Sequence, residues 1–231
     1  YSIHRGKFYL SDNPDWIQKH VHDSEPDSLS KTEFLLTGYV TGQSTLLPSI
    51  RQIQAGECIE IKEYQQNISL NKKRWFSFTH GGNNDCNLKL LKDELNEVVA
   101  NIHQRLIDVA KNRTIVVPLS GGYDSRLILT VLKKLNCKNV ITFNYGRKGS
   151  RESVISRDIA QTLGYPWYFI EYDDDLWKKC YKTGEMKDYL RFSSCMVSLP
   201  HFQDWPAVHY LLNNKIISSD SVIVPGHTGD F

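Results

Sequence analysis

From residue 115 onward, short apolar runs alternate with amphipathic ones. Ile115–Leu119, Val140–Phe143, Trp167–Ile170 and Val222–Val224 read as strands, and 124–135 and 151–163 read as helices between them. A strand that is apolar at nearly every position has no wet face, so both sides of its sheet must be covered. Helices that alternate with such strands supply the cover and the crossovers at once. The pattern therefore predicts an α/β fold with a doubly wound parallel sheet. Ligands of such sheets sit beyond the carboxyl ends of the strands. Just upstream, Leu88, Leu91, Leu95, Val98, Val99, Ile102 and Leu106 recur at spacings of three and four, which predicts a long amphipathic helix over 87–111.

Residues 1–80 have a different texture. "GKFYLSDNPDWI" reads as a strand ending in a turn at Asn13-Pro14, and "ECIEIKEYQQNISL" as a strand pair around Gln66-Asn67. "SKTEFLLTGYV" suggests a helix with Ser30 as N-cap, Glu33 as its capping-box partner and Gly38 at its end. The polar stretch "HGGNNDCN", His80–Asn87, is the natural linker. The expected domains are thus 1–80 and 87–231, the second cut short at its C-terminus.

Composition narrows the function. A net charge of +2 over 231 residues gives no bulk electrostatic case for nucleic acid or an acidic membrane. The longest apolar stretches are too short to span a bilayer. Cys58, Cys86, Cys137, Cys180 and Cys195 are odd in number and never spaced as a metal-binding pair, which favours a reducing, cytoplasmic setting.

The first strand of the alternating series ends in Ser120-Gly121-Gly122-Tyr123-Asp124-Ser125, and a helical pattern follows at once. A strand-to-helix turn offers unpaired N–H groups at the positive end of the helix dipole. Gly121 and Gly122 permit unusual backbone angles and close approach, while Ser120 and Ser125 add hydroxyl donors. Asp124 would repel a bare phosphate unless a divalent cation lay between them. The set points to a metal–polyphosphate site, with a plain tight turn capped by Asp124 as the bland alternative. The lysine of a Walker loop is absent.

"SGGYDS" resembles the SGGxDS signature of the N-type ATP pyrophosphatases. "EFLLTGYVTGQSTLLPSIRQIQAGECIEI" (33–61), "ITFNYGRKGSRESVISRDIAQTLGYPWYFIE" (141–171) and "VIVPGHTGDF" (222–231) are similar to stretches of the asparagine synthetase-like branch. The resemblance implies an ATP-pyrophosphatase, HUP-like sheet preceded by the C-terminal part of a β-rich, glutaminase-like (Ntn) domain. It implies adenylation of a small carboxylate with release of pyrophosphate, then attack by ammonia or an amine, with glutamine or ammonia as nitrogen source. Ser120, Gly121, Gly122, Asp124 and Ser125 would hold ATP phosphates. Leu119 and the segment Phe143–Gly146, with Tyr145 in it, would line the adenine and ribose pocket. Asp124 and Asp230 would hold magnesium. A homodimer is the one assembly this reading allows for. Other pyrophosphatases of the superfamily, such as tRNA-thiolating or NAD synthetase-like enzymes, and a non-catalytic nucleotide-binding relative are the competing readings.

The departures concern the substrate. Arg126 stands where the branch has a small or hydroxyl residue, so it is either a solvated helix residue or a catalytic-site group reading a carboxylate or phosphate. Tyr123 replaces a small aliphatic residue, and Phe231 replaces the Glu of an acidic tail. Arg147, Lys148 and Arg151 form a basic group after the second strand, with Glu152 as a weaker candidate for the same pocket. The segment from His201 to His209 is a candidate for substrate recognition near the sheet edge but is better read as a helix start with Asp204 as N-cap, and His20 with His22 lacks a third metal ligand.

Overall fold

A computed structural model describes residues 1–64, 67–77, 79 and 87–226. The chain divides into two compact units, Tyr1–Gly82 with Gly184–His201, and Asn83–Thr183 with Phe202–Phe231. The first unit opens on a two-stranded antiparallel pair, β1 (Ser2–His4) and β2 (Lys7–Tyr9). Helix α1 (Pro14–Val21) follows, then α2 (Ser28–Thr37) and a second hairpin of β3 (Glu57–Tyr64) and β4 (Asn67–Arg74). The strand pair expected in "ECIEIKEYQQNISL" is therefore present, while Gln66 at its turn lies outside the described residues, as does His80–Cys86 of the expected linker.

Two local expectations are corrected here. Asn13-Pro14 is a helix start and not a turn: Asn13 accepts from the Asp15 amide and Pro14 takes the first position, where its missing N–H costs nothing. The N-cap of α2 is Asp27, three residues before Ser30, and it accepts from the Ser30 amide at 2.8 Å. Those bonds hold the Asp27 carboxyl below its ordinary pKa. Glu33 closes no capping box; it accepts from the amide and the hydroxyl of Thr41. Gly38 does end the helix, with φ at 83°.

The second unit begins with α3 (Leu88–Ala110), capped by Asn87. Then come β5 (Ile115–Pro118), α4 (Tyr123–Lys134), β6 (Val140–Gly146), α5 (Arg151–Leu163), β7 (Trp167–Glu171) and α6 (Asp174–Cys180). Helix α7 (Gly184–Ser194) falls in the first unit. The backbone after it bonds there: the Leu199 amide donates to the Gly38 carbonyl and the Val40 amide to the Val197 carbonyl, both at 2.7 Å. The continuous second domain expected from the sequence is thus interrupted at 184–201. The chain closes with α8 (Trp205–Asn213) and β8 (Val222–Ile223).

The sheet order is β7-β6-β5-β8, and every neighbouring pair is parallel. Alternation along β5 sends Ile115 and Val117 to one face and Val116 to the other. On the first face they meet Leu129 and Leu132 of α4, Ala160 of α5 and Ala110 of α3. On the second, Val116 and Phe143 meet Ala207 and Leu211 of α8. Both faces are covered, so the sheet is doubly wound as its apolar strands require. Burying a leucine such as Leu129 is worth about 1.5–3 kcal/mol.

Helix α3 is covered along its C-terminal turns only. His103, Leu106, Ile107 and Ala110 face the core. On its N-terminal turns Leu88, Leu91, Leu95, Val98 and Ile102 are exposed, Leu88 at 72%. No helix among the described residues is long and apolar enough to cross a membrane.

Candidate functional site

The chain steps from β5 outward to β6 and β7, then returns to place β8 on the other side of β5. That reversal opens a crevice at the carboxyl end of β5, where ligands of such sheets bind. A cavity of about 430 Å³ occupies it. Leu119, Ser120, Gly122, Asp124 and Ser125 line it from the β5–α4 turn, Phe143 and Tyr145 from β6, and Gly226 from the turn after β8.

The turn is held from inside. Ser125 Oγ lies 3.2 Å from the Ser120 amide, which donates to it, and 3.0 Å from Ser120 Oγ. The Gly122 amide donates to Ser120 Oγ at 3.1 Å. Gly122 is the N-cap of α4 and makes no side-chain cap bond, so Asp124 does not cap this helix. Neither glycine of the turn has a left-handed backbone, and Gly122 sits at φ −77°. The expectation of unusual angles is corrected: the demand at Gly122 is for space. A Cβ there would lie 3.2 Å from Ser120 Oγ, the atom that organises the loop.

Three expected residues lie off the cavity lining. Gly121 turns its α-carbon toward Ile155 and Glu152 of α5. Gly146, at φ 131°, borders a neighbouring hollow with Arg147, Tyr172 and Asp173. Arg126 points along the helix: Nη2 donates to the Gly121 carbonyl at 3.2 Å, and the guanidinium lies 5.2 Å from the Tyr123 ring centroid. It borders the groove between α4 and α5 instead, where it braces the loop from outside. Asp230 lies outside the described residues.

Asn144, inside the expected segment Phe143–Gly146, lines the cavity, and so do Gln203 and Asp204, from a segment read chiefly as a helix start, and Glu152, which was named only weakly. Asn144 Nδ2 donates to the Leu119 carbonyl at 2.9 Å and ties β6 to the start of the loop. Because a carbonyl can only accept, that bond fixes which end of the amide is nitrogen. Asp204 begins α8 without a side-chain cap bond. Burial, and then a hydrogen bond to the Asp204 carboxylate, push the Tyr145 hydroxyl well above its ordinary pKa. Tyr145 also stacks on Tyr172, ring centroids 4.7 Å apart, and so forms a rigid aromatic wall.

The charge balance is one-sided. Asp124, Glu152 and Asp204 face the cavity, and no lysine, arginine or histidine is among its described lining. No group of three or more metal-ligating side chains occurs among the described residues. Hard carboxylate oxygens beside an anion-binding helix terminus fit magnesium, which needs only one or two carboxylates when phosphates and water complete its shell.

Residues 114–189 match the family model of the queuosine biosynthesis protein QueC. No curated protein matches the chain. Among solved structures, the NH3-dependent NAD synthetase of Campylobacter jejuni subsp. jejuni NCTC 11168, in complex with the nitrate ion, is 20% identical over 40% of this chain and 41% of that one, with a TM-score of 0.34. The alignment thus spans less than half of either protein. The family match supports one class, the N-type ATP pyrophosphatases. It fits the other pyrophosphatases of that superfamily better than the asparagine synthetase branch.

Proposed function

We propose that the chain binds ATP with magnesium at the β5–α4 turn and transfers AMP to a substrate oxygen, releasing pyrophosphate. The observation that carries this reading is the uncapped N-terminus of α4, reached through Ser120–Ser125 at the sheet's reversal point, with Asp124 in the same cavity. Ser120, Gly122 and Ser125 would receive the phosphates. Leu119, Phe143 and Tyr145 would flank the nucleoside. Asp124 would hold the magnesium, which would supply charge neutralisation to the phosphates, and the substrate oxygen would attack the α-phosphorus. The bond from that phosphorus to the bridging oxygen breaks, and pyrophosphate leaves with the electron pair. The protein's share is alignment and fixed N–H dipoles.

The finer reading is an amide-forming ligase: the oxygen belongs to a small carboxylate, and ammonia or an amine then displaces AMP. Residues 1–80 would be the end of a glutaminase-like domain. What supports it is the sequence resemblance of 33–61 to that branch, with the antiparallel hairpin Glu57–Arg74 at its end.

Pyrophosphate release from ATP and magnesium by the full-length protein, against a panel of amino acids, carboxylated sugars and carboxylated heterocycles, tests both levels. Release that requires one acid and disappears in Asp124→Asn is the expected result. Amide formation from the same acid with ammonia distinguishes the ligase from other pyrophosphatases. Folded protein that binds no ATP overturns the reading.

A further inference from the structure

We infer that Glu152 is a second carboxylate ligand of the divalent cation that accompanies the nucleotide, so that the cation bridges the first turns of α4 and α5. The inference rests on the reading of the cavity as an ATP site. Glu152 Cγ lies 3.7 Å from the point where a Cβ on Gly121 would stand, so the side chain packs against the phosphate loop. It lines the same cavity as Asp124. It makes no hydrogen bond or ion pair with any described residue.

A glutamate in the first turn of a helix has an ordinary use in the helix dipole. Here that end is already served: Ser150 Oγ accepts from the Ser153 amide at 3.2 Å and caps α5. A carboxylate resting against a loop built for phosphate also opposes that loop's purpose. A cation between carboxylate and phosphate reverses the sign of the interaction. Among the described lining residues, Asp204 already accepts from Tyr145, and Glu152 stands unpaired beside Asp124. Two carboxylates, phosphate oxygens and water make an ordinary magnesium shell.

The test uses Mn2+ as a paramagnetic probe and a non-hydrolysable ATP analogue, on the full-length chain. Electron paramagnetic resonance counts free Mn2+ in the presence of protein and analogue. Glu152→Gln keeps the shape and removes the charge; it should weaken Mn2+ in the ternary complex by about tenfold or more. Its affinity for the metal-free analogue should be unchanged or higher. Glu152→Asp, which keeps the charge on a shorter stem, should fall between the two. Mn2+ binding by Glu152→Gln equal to that of the wild type, with analogue still bound, overturns the inference and leaves the ATP site standing. Wild-type protein that binds no analogue overturns both.

Discussion

Gly226 lies against the first turn of α4 so closely that a Cβ on it would stand 2.9 Å from the Ser125 nitrogen and 3.3 Å from the Ser125 α-carbon. Both neighbours are backbone atoms and neither can step aside. The turn after β8 and the phosphate loop after β5 are therefore fitted to each other. Gly226→Ala should force them apart, at a cost of about 1–3 kcal/mol, the range for overpacking. Gly121→Ala is the contrast, because its Cβ would meet only the side chains of Ile155 and Glu152 at 3.6–3.7 Å, ordinary contact distance. Urea unfolding of the two variants should show a loss at 226 and little change at 121. Equal losses would mean that the approach of Gly226 does not constrain the turn.

The hydroxyl of Ser125 is buried and shared between the amide and the hydroxyl of Ser120. Its loss removes the link between the two ends of the turn. Ser125→Ala should cost about 1 kcal/mol of stability, the net worth of a typical hydrogen bond. It should also weaken ATP binding more than it weakens the fold, since the Ser120 hydroxyl loses its orientation. Isothermal titration with ATP and magnesium beside a thermal melt separates the two effects. Undiminished affinity would show that the loop holds its shape without this hydroxyl.

The turn itself was legible because its signal is local: an apolar run, two glycines and a helical pattern in direct succession. The sheet was legible for the same reason, since β5 is apolar at Ile115, Val116 and Val117 and so must be covered on both faces. Periodicity located α3 but could not say which of its turns are covered. Leu106 packs on the core while Leu91 and Leu95 do not, although all three belong to one repeat. Caps were misplaced where several polar residues compete, as with Asp27 and Ser30. Asp204 was hidden by a helix start that accounts for an aspartate without a site. Arg126 was left between two roles because spacing gives the face of a helix but not the reach of a long side chain, which here turns back to the Gly121 carbonyl.

Ser150 sets the start of α5 and with it the position of Glu152. Its Oγ accepts from the Ser153 amide and its backbone carbonyl accepts from the Ser153 hydroxyl at 2.8 Å. Ser150→Ala should lower stability by about 1 kcal/mol, the usual cost of an N-cap serine. Ser150→Asp should restore most of it, because aspartate caps as well and suits the dipole. Chemical denaturation of the three proteins decides the matter; an aspartate variant no more stable than the alanine one would remove capping as the explanation.

Three phenols, Tyr165 buried and Tyr145 and Tyr172 half-buried, give the fold an alkaline limit. Burial pushes Tyr145 and Tyr172 far above the ordinary tyrosine value, and Tyr165 up to about 12. The hydroxyl of Tyr165 donates to the Cys137 carbonyl at 2.8 Å, and that of Tyr172 donates to the Gln203 carbonyl at 2.6 Å. In the unfolded chain each would ionise near pH 10. Between about 10 and 12 the folded protein therefore holds more protons than the unfolded one, and stability falls as pH rises through that window. Below pH 10 both states keep these protons, and the three groups add no pH dependence. Absorbance at the phenolate band should show most of the twelve tyrosines titrating before the fold is lost, followed by a late group released together with unfolding. Tyr172→Phe removes one late phenol and leaves the Gln203 carbonyl and the Ala207 amide without that partner. It should shrink the late amplitude by one tyrosine and destabilise the protein at neutral pH by about 1–3 kcal/mol. A single smooth titration near pH 10, with the fold intact, would contradict the burial of all three.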